Sequence, residues 1–282
     1  MPDTKFFLKV SRPRFWIYVF GPYLVGLAAG ASSKGDLLRV ENFVFALYFL
    51  FPANLLVYGI NDIFDFETDR INPKKTEYEM LVRPDSHFKL WLWIAGLNVP
   101  FLTAAILLKL GALPSLAGFL VFSIFYSAPP IRAKAIPIVD SVFNVLYVFP
   151  GMFAYQMITG SFPPFGIFLA AWLWTMAMHA FSAIPDIDAD REAKLNTVAT
   201  LLGRSGTLLF CLIMYLSSGV LVFQYLGYLA LPLAAVYVLI IALSYISTEE
   251  NKVFAIYRYF PPVNATVGFI LFWSAAWKFV DP

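Results

Sequence analysis

Long apolar runs separated by short polar stretches set the pattern of the chain. Nine runs stand out, at residues 15–31, 43–60, 90–108, 113–127, 138–158, 165–183, 208–226, 229–246 and 263–280. A helix that crosses the hydrocarbon core needs about 20 apolar residues, and these runs are of that order. The strands of a membrane barrel alternate polar and apolar over about 10 residues, whereas these runs are apolar all round and longer. The pattern therefore predicts an all-α, polytopic membrane protein: one domain over residues 1–282, with nine transmembrane helices in a bundle. Pro22, Pro52, Pro100 and Pro150 interrupt the runs, which membrane helices tolerate where neighbouring helices re-satisfy the backbone.

Composition agrees with the pattern. The 282 residues are 60% hydrophobic, 18% aromatic and only 13% charged, with a mean hydropathy of +0.72. Soluble domains run about 45–50% apolar and about 25% charged, so a water-soluble enzyme and a disordered scaffold are both excluded. A net charge of +2 is too small an excess for a nucleic-acid partner. Cys211 has no second cysteine to pair with. Lys5, Lys9, Arg12 and Arg14 ahead of an apolar run, with Ala29-Gly30-Ala31 after it, have the shape of a secretory signal; in a polytopic chain they read as a first signal-anchor span. Counted over loops of the nine-span arrangement, sixteen Lys and Arg fall on the amino-terminal side and four on the other. The positive-inside rule then expects a cell-membrane protein whose amino terminus and acidic motifs are cytoplasmic.

The acidic residues gather in two places. Asn61-Asp62-x-x-Asp65-x-x-x-Asp69-Arg70 closes the second run and Asp186-x-Asp188-x-Asp190-Arg191 closes the sixth. On a continuous helix Asp62, Asp65 and Asp69 stand at i, i+3 and i+7, and Asp186 and Asp190 at i, i+4, each set along one stripe. Carboxylates massed at the end of a membrane helix repel one another and resist burial, so they need water or a divalent cation. Hard oxygen ligands at this density suit Mg²⁺, which keeps waters and bridges to phosphates. Arg70, Lys74, Lys75, Arg83, Arg132, Lys134, Arg191 and Lys194 fall on the same predicted side, and carboxylates, Mg²⁺ and cations together can hold a diphosphate and stabilise it as a leaving group. Single charges at helix ends are ordinarily solvated and serve orientation, but two Asp-rich ends on one side need a further reason. A lone intramembrane His is ordinarily a hydrogen-bonded packing residue, so His179 is kept only as a candidate lining residue.

These motifs resemble those of the UbiA superfamily of intramembrane prenyltransferases, over essentially the whole chain. The resemblance implies nine helices around a central cavity open to lipid. It implies Mg²⁺ bound by Asn61, Asp62, Asp65, Asp186 and Asp190, with Asp65, Asp69, Asp186 and Asp190 as the catalytic carboxylates. It further implies a prenyl diphosphate donor met by Arg12, Arg70, Arg132, Lys134, Arg191 and Lys194, with Tyr126 as a lining residue. A narrower resemblance, to the lycopene elongase branch of carotenoid biosynthesis, is carried by Tyr126-Ser-Ala-Pro-Pro-Ile-Arg132, by Asp140-Ser141-x-x-Asn144-x-x-Tyr147-x-x-Pro150-Gly151 and by His179-Ala-Phe-Ser182-Ala-Ile-Pro185-Asp186-Ile-Asp188-x-Asp190-Arg191. One departure is Thr76-Glu77-Tyr-Glu79-Met80-Leu81 ahead of Arg83-Pro84, where many aromatic prenyltransferases have a simpler Thr-x-x-Arg-Pro; it argues mildly against a quinone precursor as acceptor.

The reaction expected from that resemblance is ionisation of dimethylallyl diphosphate to an allylic cation, attack by the terminal double bond of lycopene, and proton loss or water capture. Phe64, Phe125, Tyr126, Tyr147 and Phe181 stand near the cytoplasmic helix ends, where ring faces can stabilise such a cation, although lipid-facing or packing duty is the ordinary role of most such aromatics. The base is open among diphosphate, Asp188 and His179. Rival acceptors are an aromatic ring, a chlorin or geranylgeranylglyceryl phosphate. The rival of another class is an ion-coupled transporter, which expects charges at the bilayer midplane and repeated broken helices rather than acidic helix ends flanked by cations.

Overall fold

In the computed structural model, residues 4–70, 80–247 and 255–280 are described, and every regular element among them is helical. The chain groups into two compact units, one of residues 1–131, 149–162 and 268–282 and the other of residues 132–148 and 163–267.

The first unit begins with α1 (Thr4–Val10) and α2 (Ile17–Gly30), followed by α3 (Val40–Leu50), α4 (Pro52–Phe64) and the short α5 (Phe66–Asp69). It continues with α6 (Pro84–Leu107), α7 (Leu113–Ser127) and α8 (Phe149–Thr159). The span expected at 43–60 lies within the apolar stretch Val40–Phe64, which is built of two helices. Phe51 leaves helical geometry (φ −125°, ψ −59°), and Pro52, which has no N–H to donate, opens α4 at its first position. Buried amides donate to carbonyls on both sides of this break. Asn54 Nδ2 donates to the carbonyls of Phe49 (2.9 Å) and Leu50 (3.0 Å), and Asn98 Nδ2 on α6 donates to that of Pro52 (3.1 Å).

α2 and α8 touch backbone to backbone where Gly26 faces Gly151; a Cβ on Gly26 would lie 2.1 Å from the Gly151 carbonyl oxygen. Small residues at such a crossing let helices approach where no hydrophobic effect pulls them together. Around the crossing pack Tyr23, Phe45, Phe49, Phe119 and Phe153, all fully buried, with Phe45 and Phe153 ring centroids 4.7 Å apart. The outer face of α6 leaves Phe88, Leu92, Val99, Ile106 and Leu107 exposed, a surface suited to acyl chains.

The second unit holds α9 (Phe165–Ala183), α10 (Ile187–Glu192), α11 (Val198–Leu226) and α12 (Ala230–Ile246). Its other segment is a helical turn, Val139–Val142, running into a 3₁₀ stretch, Phe143–Tyr147. α13 (Phe260–Ala276) belongs to this unit up to residue 267 and to the first unit beyond it. α9 lies along α11, held by Ser218 Oγ donating to the Ala170 carbonyl (2.8 Å) and by the Cys211 thiol against that of Ala177. α11 begins at Val198, ahead of the apolar run at 208, because Thr197 caps it and Gly203 (φ 63°, ψ 176°) turns the chain between its first residues and the long apolar part. The run at 138–158 likewise resolves into the 139–147 turns and α8, which divide between the two units.

Five continuous helical stretches among the described residues are long and apolar enough to cross a membrane: Val40–Phe64, Pro84–Leu107, Val139–Thr159, Phe165–Glu192 and Val198–Ile246. The last contains both α11 and α12, and the shorter Leu113–Ser127 is also apolar. Overpacking a closed contact costs typically ~1–3 kcal/mol. Gly26→Ala is expected to lower the melting temperature in detergent, whereas Gly96→Ala, with nothing within 4 Å of its Cβ position, leaves it unchanged or slightly raised.

Candidate active site

In the first unit the acidic motif sits where a helix stops. α4 carries Asn61 and Asp62 and ends before Asp65, whose backbone (φ −106°, ψ 5°) lies in the sparsely populated bridge region; α5 then starts at Phe66. The continuous stripe expected through Asp62, Asp65 and Asp69 is thereby corrected: Asp65 breaks the helix and Asp69 rides on α5 in a new register. Asp62 is 3% exposed, and Arg12 Nη2 donates to its Oδ1 at 2.7 Å and approaches Asn61 Oδ1 at 3.4 Å. The same guanidinium lies 4.9 Å over the Tyr58 ring. Asn61 Nδ2 donates to Asp65 Oδ2 and, at 3.1 Å, to Ser127 Oγ at the end of α7, next to the half-buried Tyr126. Arg70 is exposed and pairs with Glu67 (3.0 Å). Lys74, Lys75 and residues 76–79 of the departing stretch lie outside the described residues.

The second unit repeats this junction. α9 runs through a 3₁₀ turn, Ile184–Asp186, to Asp186 (φ −101°, ψ 1°), and α10 starts at Ile187. In both places a break at Asp is followed four residues on by a second Asp and then by Arg. Arg191, like Arg70, is exposed and faces a carboxylate one turn back, Asp188, at 3.7 Å. Asp186 and Asp190 are half-buried, while Asp188 is 78% exposed. Arg191 and Lys194 also line an open cavity of about 320 Å³ with Pro137, Asn196 and Thr200.

Three of the cations expected to meet a diphosphate hold left-handed backbone: Arg12 (φ 51°), Arg132 (φ 47°) and Lys194 (φ 55°). Arg12 leads into a 3₁₀ turn, Pro13–Phe15, that carries Arg14, and Arg132 leads into another, Ala133–Ala135, that carries Lys134. Such backbone costs of order 1–3 kcal/mol per residue and persists where surroundings enforce it, commonly at functional sites.

His179 on α9 meets Asp140, which is 1% exposed, at 3.3 Å through Nε2. The Asp140 carboxylate also accepts the N–H groups of Ser141 (2.8 Å) and of Val198 (2.8 Å), the latter at the start of α11. Tyr147 is half-buried at the end of its 3₁₀ stretch, and Phe181 is 1% exposed with its ring centroid 5.1 Å from that of Phe260. Ser127 and Asp140 are joined to predicted site residues although sequence reasoning gave neither a role; both lie in the segments that carry the narrower resemblance.

Among the described residues no group of three or more His, Cys, Asp or Glu gathers so as to hold a metal by itself. The first motif nonetheless offers only hard oxygen donors in Asn61, Asp62 and Asp65, a set that fits Mg²⁺, an ion that ordinarily takes a few carboxylates and completes its shell with water and phosphate.

The model of the UbiA prenyltransferase family matches residues 19–260. The chain belongs to this family. It is 39% identical to a lycopene elongase/hydratase of Haloferax volcanii, over 99% of this chain and 91% of the relative. Its fold matches that of a UbiA homologue from Archaeoglobus fulgidus bound to GPP and Mg²⁺, with a TM-score of 0.70 at 19% identity over 94% of this chain and 99% of the other. The same homologue bound to DMAPP and Mg²⁺ matches with a TM-score of 0.69 at 19% identity, over 94% and 98%. This UbiA protein is thus an integral membrane enzyme, an intramembrane prenyltransferase.

Removing one partner of a buried ion pair strands the other charge, at a cost of about 3–5 kcal/mol. In the metal-free UbiA enzyme, Arg12→Leu should therefore lower the melting temperature more than the double variant Arg12→Leu/Asp62→Leu, as read by differential scanning fluorimetry in detergent.

Proposed function

We propose that this UbiA enzyme transfers a dimethylallyl group from its diphosphate to the terminal double bond of lycopene, in C45/C50 carotenoid biosynthesis, with proton loss or hydration ending the reaction. The observation that carries prenyl transfer is the twice-built junction of a broken helix, two Asp and an Arg, each at the end of an apolar helix. The choice of acceptor is supported by the activity named for the Haloferax relative.

Asn61, Asp62 and Asp65 of the first motif and Asp186 and Asp190 of the second are the proposed Mg²⁺ ligands, with Asp65, Asp69, Asp186 and Asp190 as the catalytic carboxylates. Bound Mg²⁺ supplies Lewis-acid neutralisation of the diphosphate. Arg12, Arg70, Arg132, Lys134, Arg191 and Lys194 add positive charge for the diphosphate. Arg70 and Arg191 pair with exposed carboxylates, an arrangement weak enough to exchange for a phosphate. Arg12 serves a second purpose, holding Asp62 in place through a guanidinium that also covers Tyr58. Tyr126, Tyr147, His179 and Phe181 line the acceptor side, where ring faces stabilise an allylic cation and exclude water. In this reading the chain makes nine spans with its amino terminus and both motifs cytoplasmic, and its substrates approach from the bilayer.

Chromatography with mass detection in lycopene-producing cells tests the proposal. The intact chain is expected to give C45 or C50 products, and Asp65→Ala and Asp190→Ala at equal membrane abundance none. Unmodified lycopene with donor present would move the assignment to another acceptor, to be sought in a panel of aromatic, chlorin and glyceryl phosphate substrates. In membranes, EDTA should abolish turnover and added Mg²⁺ restore it.

A further inference from the structure

The pairing of His179 with Asp140 is an ionisable contact built inside apolar helices, and the diphosphate chemistry above leaves it unused. An ionisable residue within a membrane helix is costly and ordinarily functional. Asp140 is more fully enclosed than the carboxylates of the second motif, and three donors from three segments converge on it: its own turn through Ser141, α11 through Val198 and α9 through His179. With two backbone N–H groups fixing the carboxylate, its Oδ2 is the acceptor for His179 Nε2–H. That bond sets the tautomer, directs proton uptake to Nδ1 and supplies the counter-charge for the imidazolium that forms.

His179 also has the right register. It precedes Asp186 by seven residues, four along α9 and three through the 3₁₀ turn Ile184–Asp186, which sets His179 deeper than Asp186 by roughly 10 Å. The final positive charge falls on the acceptor, on the carbon of the attacking double bond that does not join the dimethylallyl group, so its base belongs on the acceptor side of the diphosphate, away from the carboxylates that meet the phosphates. Asp188, 78% exposed and facing Arg191, lies on the wrong side of Asp186 for this.

Resting on the prenyl-transfer reading above, we propose that His179 is the base that ends the reaction and that Asp140 is its positioning residue. In the elimination branch a C–H bond next to the cationic carbon breaks, its electron pair becomes the new C=C bond, and the proton goes to Nδ1. In the hydration branch a lone pair of water forms the C–O bond and one water proton goes to Nδ1. Either way one proton is taken up, and the imidazolium passes it to the departing diphosphate before the next turnover.

The test uses the full chain in lipid nanodiscs with lycopene, dimethylallyl diphosphate and Mg²⁺, comparing intact protein with His179→Gln, His179→Ala and Asp140→Asn. Gln keeps a donor for Asp140 but cannot take up the proton, so it remains informative if the Ala variant does not fold. Loss of a general base costs about 100-fold or more. The expected result is that His179→Gln melts like the intact protein, binds donor with unchanged KM and loses about 100-fold in kcat. Added imidazole should raise turnover of His179→Ala but not of Asp65→Ala, and Asp140→Asn should lower kcat without raising the donor KM. Full turnover in His179→Gln overturns the base assignment while leaving prenyl transfer intact. Failure of the intact chain to prenylate lycopene overturns the acceptor reading and this assignment with it.

Discussion

Hydrocarbon offers a bare carbonyl or a carboxylate nothing to bond to, so each interruption of a helix inside the membrane must bring its own donors. The second apolar run shows the rule at its simplest, where Asn54 meets the carbonyls of Phe49 and Leu50 left bare by the break at Phe51 and Asn98 adds a donor to that of Pro52. The buried carboxylates are held the same way. Asp62 has a guanidinium, Asp65 the amide of Asn61, and Asp140 two backbone N–H groups and an imidazole. The buried carboxylates of this enzyme are concentrated near the places where helices are broken and then repaired.

The two acidic junctions follow one local plan. Asp65 and Asp186 have nearly the same backbone angles, each ends a long apolar helix, and each leads into a short helix whose Arg pairs one turn back. The cations show a related economy. Arg12 and Arg132 are both left-handed residues at the mouth of a 3₁₀ turn that carries a second basic residue. Strain of this kind points a side chain where a relaxed helix would not, at a modest cost that the surrounding packing repays.

Apolar run length was enough to locate α2, α7, α9 and α12 to within two residues, because burial in lipid selects for little else. The two motifs and the family were legible for the same reason, since charges that survive in such a chain are conspicuous. The bend at Asp65 was not. Asp is tolerated in a helix and at its end alike, and what decides between them is the Asn61 amide together with the fresh turn at Phe66. Nor were the long-range pairs: Arg12 finds Asp62 across 50 residues, and Asp140 finds His179 across 39 and Val198 across 58. No periodicity reports contacts at that distance, so Asp140 read as one more letter of a motif.

Asp140 also constrains the order in which the protein can be made. It leaves the ribosome well before the chain that supplies its donors, with only the N–H of Ser141 close at hand. Until α9 and α11 have entered the bilayer, that carboxylate resists leaving water, so the 139–147 segment has reason to wait at the surface and settle late. The first unit is under a matching delay, because α8 comes after this segment yet packs onto α2. The arrival of α11 therefore calls for an adjustment of helices already made, before α12 and α13 follow.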